Sequence, residues 1–323
     1  MAHIDSSAKR TTPLPPTVAV VGPGAIGTTV AAALHEAGRT PMLCGRTARE
    51  RLELRVGPGP EPRVEPRVEP QGADGLIVVP GPVRTDPAQT EEAVDLVFLA
   101  VKSTQVDAAA PWLAALCDTD TVVCVLQNGV EQEAAVAPHV PGCPVLPSVV
   151  WFPAQVQPGG SVWLRGEARL TVPDTPAGRV VLDALRGTRC SVDAAEDFTS
   201  VAWRKLLQNA AAGLMVLTGR RCGMFARDDI ARLSLDYLRE CLAVARAEGA
   251  VLGDEVPQEI VDGFRAYPAD MSTSILADRA AGRPLEWDIR NGVVRRRGRA
   301  HGIPTPISDL VVPLLAAAGD GPG

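Results

Sequence analysis

At 323 residues, with 46% hydrophobic and 22% charged, the chain can bury a sizeable core and has the length of about two globular domains. Its 32 Lys and Arg against 38 Asp and Glu give a formal charge of −6, which excludes a global basic field for nucleic acid or an anionic membrane; any cationic site must be local. Seven scattered cysteines (Cys44, Cys117, Cys124, Cys143, Cys190, Cys222, Cys241) lack CxxC spacing and suit a reducing compartment, the cytoplasm by default; four histidines without ligand spacing speak against a metal site, and no apolar run approaches the roughly 18 residues of a membrane span.

The first sixteen residues are rich in Ser, Thr, Pro, Lys and Arg and lack a secretory apolar region, which predicts a disordered tail. The β-branched run Val18-Ala19-Val20-Val21 then reads as a strand that empties into Gly22-Pro23-Gly24-Ala25-Ile26-Gly27. Residues 28–37 follow the helical pattern, closed by Gly38, and residues 41–44 read as a second strand, completing a βαβ unit. In that setting the glycine spacing is a dinucleotide-binding fingerprint. Gly22 permits the tight turn, Gly24 lets the backbone approach a pyrophosphate, and Gly27 lets the helix pack close to the sheet. The pyrophosphate would rest on the free N–H groups of the helix start. An ordinary Gly-rich βα turn is the alternative.

The second strand discriminates between cofactors. A site specific for NAD usually places an acid there, whereas this strand ends in Gly45-Arg46. Arg46 offers a permanently charged fork to a 2′-phosphate, with Arg49 nearby, so the reading favours NADPH; a solvated arginine in a basic stretch is the bland alternative. Residues 57–72, with five prolines and a repeated Arg-Val-Glu-Pro, predict an exposed loop that cannot pair inside a sheet.

Two apolar runs, 95–101 and 121–126, read as buried parallel strands ending in Lys102-Ser103 and Gln127-Asn128-Gly129, with a helical connection that includes residues 111–116. Carboxyl ends of such strands face the ligand crevice, so Lys102 is either a phosphate or ribose contact or a solvated strand end. Asn128 is either a site residue or part of a common Asn-Gly turn. Residues 145–192 break into short strand-like pieces, expected as the later, partly antiparallel strands of the same sheet.

Near residue 196 the character changes. Helical patterns over 196–217, 228–249, 257–267 and 285–301 predict an all-α second half. The expected organisation is a tail over 1–16, an NADP-binding Rossmann-type α/β domain over 17–196, a helical substrate domain over 197–318 and a tail over 319–323, with the ligands in the cleft between the halves. Lys205 and Asn209 lie four apart and share one helix face, able to present an ammonium and an amide to a carbonyl and a carboxylate, or to be merely an exposed face backed by Trp203 and Leu207. Ser272 or Ser274 reads as a helix cap and Glu286 as a first-turn acid favoured by the helix dipole. The basic run 295–299 reads as a solvated face of an acidic protein, and nucleic-acid binding is not expected.

Taken in order, Gly22-Pro-Gly-Ala-Ile-Gly27, Gly45-Arg46, Ala100-Val-Lys102, Gln127-Asn-Gly129, Trp203-Arg-Lys205 with Asn209, Ser274-Ile-Leu-Ala-Asp278, Glu286 and His301-Gly-Ile-Pro-Thr-Pro306 resemble the ketopantoate reductase (2-dehydropantoate 2-reductase) family over nearly the whole chain. The resemblance implies a Rossmann domain followed by a helical domain like the C-terminal part of 6-phosphogluconate dehydrogenase, with NADPH between them. It implies that Lys205 binds the substrate and protonates the ketone oxygen, and that Asn209 and Ser274 bind the substrate. It places Asn128 and Glu286 near both nicotinamide and substrate, and Arg46 and Lys102 on NADPH.

One position departs from the family pattern. Gly213 stands where members often carry a second asparagine, which leaves one turn of the substrate helix without a hydrogen-bonding amide. The expected activity is NADPH-dependent reduction of 2-dehydropantoate to pantoate. The alternatives are a family relative acting on another 2-keto acid or ketone, and a non-catalytic NADPH-binding sensor or interaction module. Either a monomer or a homodimer is compatible with the sequence.

Overall fold

The computed structural model describes residues 16–57, 75–90 and 92–320. The expected N-terminal tail, except Pro16, and the proline-rich stretch beyond Gly57 lie outside the described residues. Strand β1 (Val18–Val21) is fully buried and leads into helix α1 (Ala25–Glu36). The helix starts three residues ahead of expectation because Gly24 is its N-cap, its carbonyl accepting from Thr28 N at 2.9 Å. Strand β2 (Met42–Cys44) closes the βαβ unit, and β3 (Arg51–Val56) pairs antiparallel with β4 (Leu76–Pro80). Then come β5 (Leu96–Leu99), α2 (Val106–Leu116), β6 (Val122–Val125), α3 (Gln132–Val136) and β7 (Val145–Pro147).

The principal sheet has the order β2-β1-β5-β6-β7 and is parallel throughout. From β1 the chain moves out to β2 on one side and returns to β5 on the other, so the strand order reverses beside β1 and a crevice opens at the carboxyl ends. Period-two alternation splits β1 between two cores. Val18 and Val20 pack with α1, and Ala19 and Val21 with Trp112, Leu113 and Leu116 of α2.

The short strands that follow do not continue this sheet, contrary to expectation. Only β7 extends it. Strands β8 (Val149–Val150), β11 (Ala168–Pro173) and β12 (Cys190–Ala195) form a three-stranded sheet, while β9 (Ala154–Val156) and β10 (Val162–Leu164) add to the edge of β3. The physical reason is that the β3–β4 ladder offers an open edge, and a strand's own residues do not name its partner. Between β11 and β12 lies α4 (Pro176–Leu185), a helix absent from the sequence-based expectation. Its local signal is nonetheless there: Thr175 Oγ1 accepts from Gly178 N at 3.1 Å and Pro176 occupies the first turn. A parallel pair such as β11–β12 needs that crossover.

From Phe198 onward the described chain is helical. Helix α5 (Phe198–Thr218) starts on Asp197, whose carboxylate accepts from Ser200 N, and stops at Gly219 in a left-handed conformation, φ 67°. Residues 209–216 are all buried, because α6 (Asp228–Ala247), α7 (Val256–Ala266), α8 (Ser274–Ala280) and α10 (Pro306–Gly319) surround them. Gly319, expected to begin a tail, is the last residue of α10.

The pattern expected over 285–301 is split. A π-helical turn, Asp288–Gly292, precedes α9 (Val293–Ala300). The basic face of α9 is ion-paired rather than simply solvated: Arg295 and Arg299 hold Asp309, while Arg296 and Arg297 reach Glu131 across the cleft at 2.6 and 2.9 Å. No helix among the described residues is long and apolar enough to cross a membrane.

Candidate active site

The glycine turn lies at the carboxyl end of β1. Gly22 has φ +90°, and a Cβ there would stand 2.7 Å from Val101 Cγ1 and 2.8 Å from Val101 N. A Cβ on Gly27 would collide with the Gly22 carbonyl oxygen. Gly24 faces open space, with no described atom within 4 Å of where a Cβ would stand, and Pro23, Ala25 and Ile26 are half-buried or exposed around it. Helix α1 begins without a side-chain cap and without an acid in its first turn. Its positive end is therefore open to an anion, and the cradle fits a pyrophosphate.

Arg46, two residues past the end of β2 and next to Gly45, is exposed and has no ion-pair or hydrogen-bond partner among the described residues. A second cation, Arg84, is brought to the same strand end by backbone bonds, Gly45 N to Arg84 O at 2.9 Å and Arg84 N to Leu43 O at 2.8 Å. Sequence reasoning misses Arg84, and no local signal marks it, because a bridge between distant segments places it there.

The loop after β5 reaches the helical half. Lys102 Nζ lies 2.5 Å from Asp278 Oδ2 on α8, and Asp278 Oδ1 takes Arg283 Nε at 2.7 Å. Next to it, Ser103 donates from both N and Oγ to Glu286 Oε1, at 3.0 and 3.1 Å. Glu286 is thus an acceptor across the cleft, lying ahead of the π turn, and not a first-turn helix acid. Neither Ser272 nor Ser274 caps α8: the N-cap is Thr273, without a side-chain bond, and Ser274 Oγ instead accepts from Arg290 Nη2 at 3.1 Å.

On α5, Lys205 and Asn209 do share one face. Asn209 is buried and its Nδ2 donates to Asn128 Oδ1 at 3.2 Å, while its Oδ1 accepts from Arg290 Nη1 at 3.4 Å. Lys205 lines a small cleft with Gln127, Asn128, Gly129, Ser148 and Val150. Its ammonium stands over the Trp151 ring, 4.9 Å from the centroid, with no carboxylate paired to it among the described residues. Burial pushes its pKa down to about 8, and the positive charges of Arg290 and Arg169 push the same way. Such an ammonium is a proton donor within reach of neutral pH.

Gly213 has a packing explanation. A Cβ there would lie 2.6 Å from Asn291 Nδ2 and 3.1 Å from both Asn291 Oδ1 and Leu315 Cδ1. Asn291, fully buried in the π turn, donates to Ala210 O and to Tyr237 Oη, each at 3.0 Å. An amide therefore does stand beside this turn of α5, delivered from another element. Side chains that sequence reasoning overlooks here are Ser103, Trp151, Arg290 and Asn291. The π turn that aims Arg290 and Asn291 inward from adjacent positions has no periodicity signal of its own.

Both halves of the chain are similar to known proteins. The family model described as ketopantoate reductase PanE/ApbA matches residues 18–177, and the one for the ketopantoate reductase PanE/ApbA C terminal matches residues 197–318. A 2-dehydropantoate 2-reductase of Mycobacterium tuberculosis is 59% identical over 306 residues, covering 95% of this chain and 99% of the relative. One from Caulobacter vibrioides is 37% identical, covering 93% and 98%. The solved dimeric ketopantoate reductase of Staphylococcus aureus superposes with a TM-score of 0.81 at 27% identity, over 95% of this chain and all of that one. The chain belongs to the ketopantoate reductase family.

Proposed function

We propose that this chain reduces 2-dehydropantoate to pantoate with NADPH, and that Lys205 is its general acid. The observation that carries the reading is the Lys205 ammonium, without a carboxylate partner among the described residues, lining one cleft with Asn128, whose Oδ1 is held by Asn209. When bound, NADPH would be the source of the hydride for the keto carbon. The chain's own residues do the rest. Lys205 stabilises the alkoxide developing on the ketone oxygen and gives it a proton, completing the alcohol. Asn128, Asn209 and Ser274 offer polar contacts to the substrate, and Glu286, held by two donors from Ser103, serves near the nicotinamide ribose and the substrate.

Residues 22–27 hold the pyrophosphate and Arg46 the 2′-phosphate. Lys102 contributes to the cofactor site from its position on Asp278. The division into a nucleotide-binding unit over 17–196 and a helical unit over 197–318 is supported by the change from strands to helices at Asp197. Seven free cysteines support a cytoplasmic location. The assembly is a monomer or a homodimer, and the dimeric Staphylococcus aureus relative favours the latter. Following NADPH absorbance with ketopantoate tests the reading: turnover is expected, and folded protein that binds NADPH without turnover at any pH overturns it.

A further inference from the structure

We infer that Arg290, on the π turn, is the residue that binds the carboxylate of the substrate and so selects 2-keto acids over neutral ketones. The inference rests on the proposed reduction of a keto acid. Arg290 is 3% exposed, and its guanidinium lies at the meeting point of the helical-side residues: Nη1 is 3.4 Å from Asn209 Oδ1, Nη2 is 3.1 Å from Ser274 Oγ, and Nη2 is 3.7 Å from Glu286 Oε2. Asn209 and Ser274 are neutral acceptors here. Glu286 is the single acid paired with it among the described residues, at a separation longer than a hydrogen bond, and its other oxygen already takes two donors from Ser103.

The Nε–H of Arg290 is buried without a partner among the described residues. A buried cation with an unused donor is unfavourable unless something anionic completes it. A guanidinium fork matches a carboxylate in shape and charge, where Asn209 and Ser274 can offer only single neutral bonds. Arg290 bonds Asn209, one turn from Lys205 on α5, which makes this fork and the proton donor neighbours close enough for their charges to act on each other. A 2-keto acid has its ketone and carboxylate on adjacent carbons, so a substrate held by Arg290 presents its ketone oxygen toward Lys205. The same geometry accounts for the tolerance of Gly213: the anion is held by a charge from the π turn, and a second amide on α5 is not required.

The test compares ketopantoate with its uncharged methyl ester, as kcat and KM with NADPH and as Kd in the non-reacting complex with NADP+. Wild-type protein should prefer the acid. Arg290→Gln should raise KM and Kd for the acid on the order of 10- to 100-fold, leave the ester and NADPH affinity within about twofold, and so erase the preference. Arg290→Lys should restore part of it. A wild-type protein indifferent to the ester overturns the inference without any variant. So does an Arg290→Gln protein that loses acid and ester equally, or loses NADPH affinity and thermal stability with the preference intact; either would make Arg290 a structural partner of Glu286. If the acid binds with this preference but is not reduced, the proposed activity fails while the role of Arg290 stands. Turnover without the preference has the reverse meaning, and binding of neither compound overturns both.

Discussion

The turn over 22–27 and the cluster around Lys205 are built in opposite ways: one is made of backbone from six consecutive residues and the other of side chains from several elements. The first needs absent side chains: a Cβ at Gly22 or Gly27 meets Val101 or the turn itself. The second needs side chains present and in mutual contact, with Asn128 after β6, Lys205 and Asn209 on α5, Ser274 on α8, and Glu286 and Arg290 around the π turn. A backbone site is robust to distant change, because its geometry is set by φ and close packing within one βα unit. A side-chain site is sensitive to it, because each group's charge and position depend on its neighbours'.

Substitutions can separate the two. The largest effect is expected for Lys205→Ala, which should lower kcat by about 10²- to 10⁴-fold while NADPH affinity, read by fluorescence titration, stays near wild type; an almost unchanged kcat would remove Lys205 from its role. Arg46→Ala should act on the opposite side of the cleft, raising KM for NADPH roughly 10- to 100-fold with little change for NADH. Equal losses for both cofactors would mean that Arg46 does not read the 2′-phosphate. Gly213→Ala should reduce stability by about 1–3 kcal/mol in denaturant unfolding, since its Cβ presses on the doubly bonded Asn291 amide. NADPH binding should survive that change, and a stable Gly213→Ala protein would show that Asn291 yields freely.

The smallest effect is one of pH. Lys205 acts in its protonated form, and burial has brought its pKa down to about 8. Activity should therefore hold below that point and fall on the alkaline side, by about tenfold per pH unit once the lysine has lost its proton. A profile flat to about pH 10 would separate the proton donor from Lys205.

Much of the N-terminal half is legible because its signals are contiguous. Buried apolar runs mark β1, β5 and β6, and the glycines mark the turn between β1 and α1. Helix α5 is legible through its long helical pattern over 196–217. The three-sheet arrangement over 145–195 is not legible, since β8, β10 and β12 can each be recognised as strands without revealing which edge they join. Residue types also suggest Lys205, Asn209, Ser274 and Glu286 as site members. Their mutual contacts, and the presence of Arg290 among them, require the π turn to be seen in place.

The amino-acid order alone determined where β1, β2, β5, β6, α5, α6 and α7 lie to within a few residues, the glycine turn and the choice of an arginine at the end of β2. These depend on local backbone preferences, side-chain period and capping, all of which act within a few residues. Only the tertiary structure decided that Lys205 loses part of its hold on its proton, that Asn291 occupies the space beside Gly213, and that Arg290 brings a buried charge against Asn209 and Ser274. Desolvation and charge proximity belong to residues far apart in sequence, and they take effect only once the fold has removed the water between them.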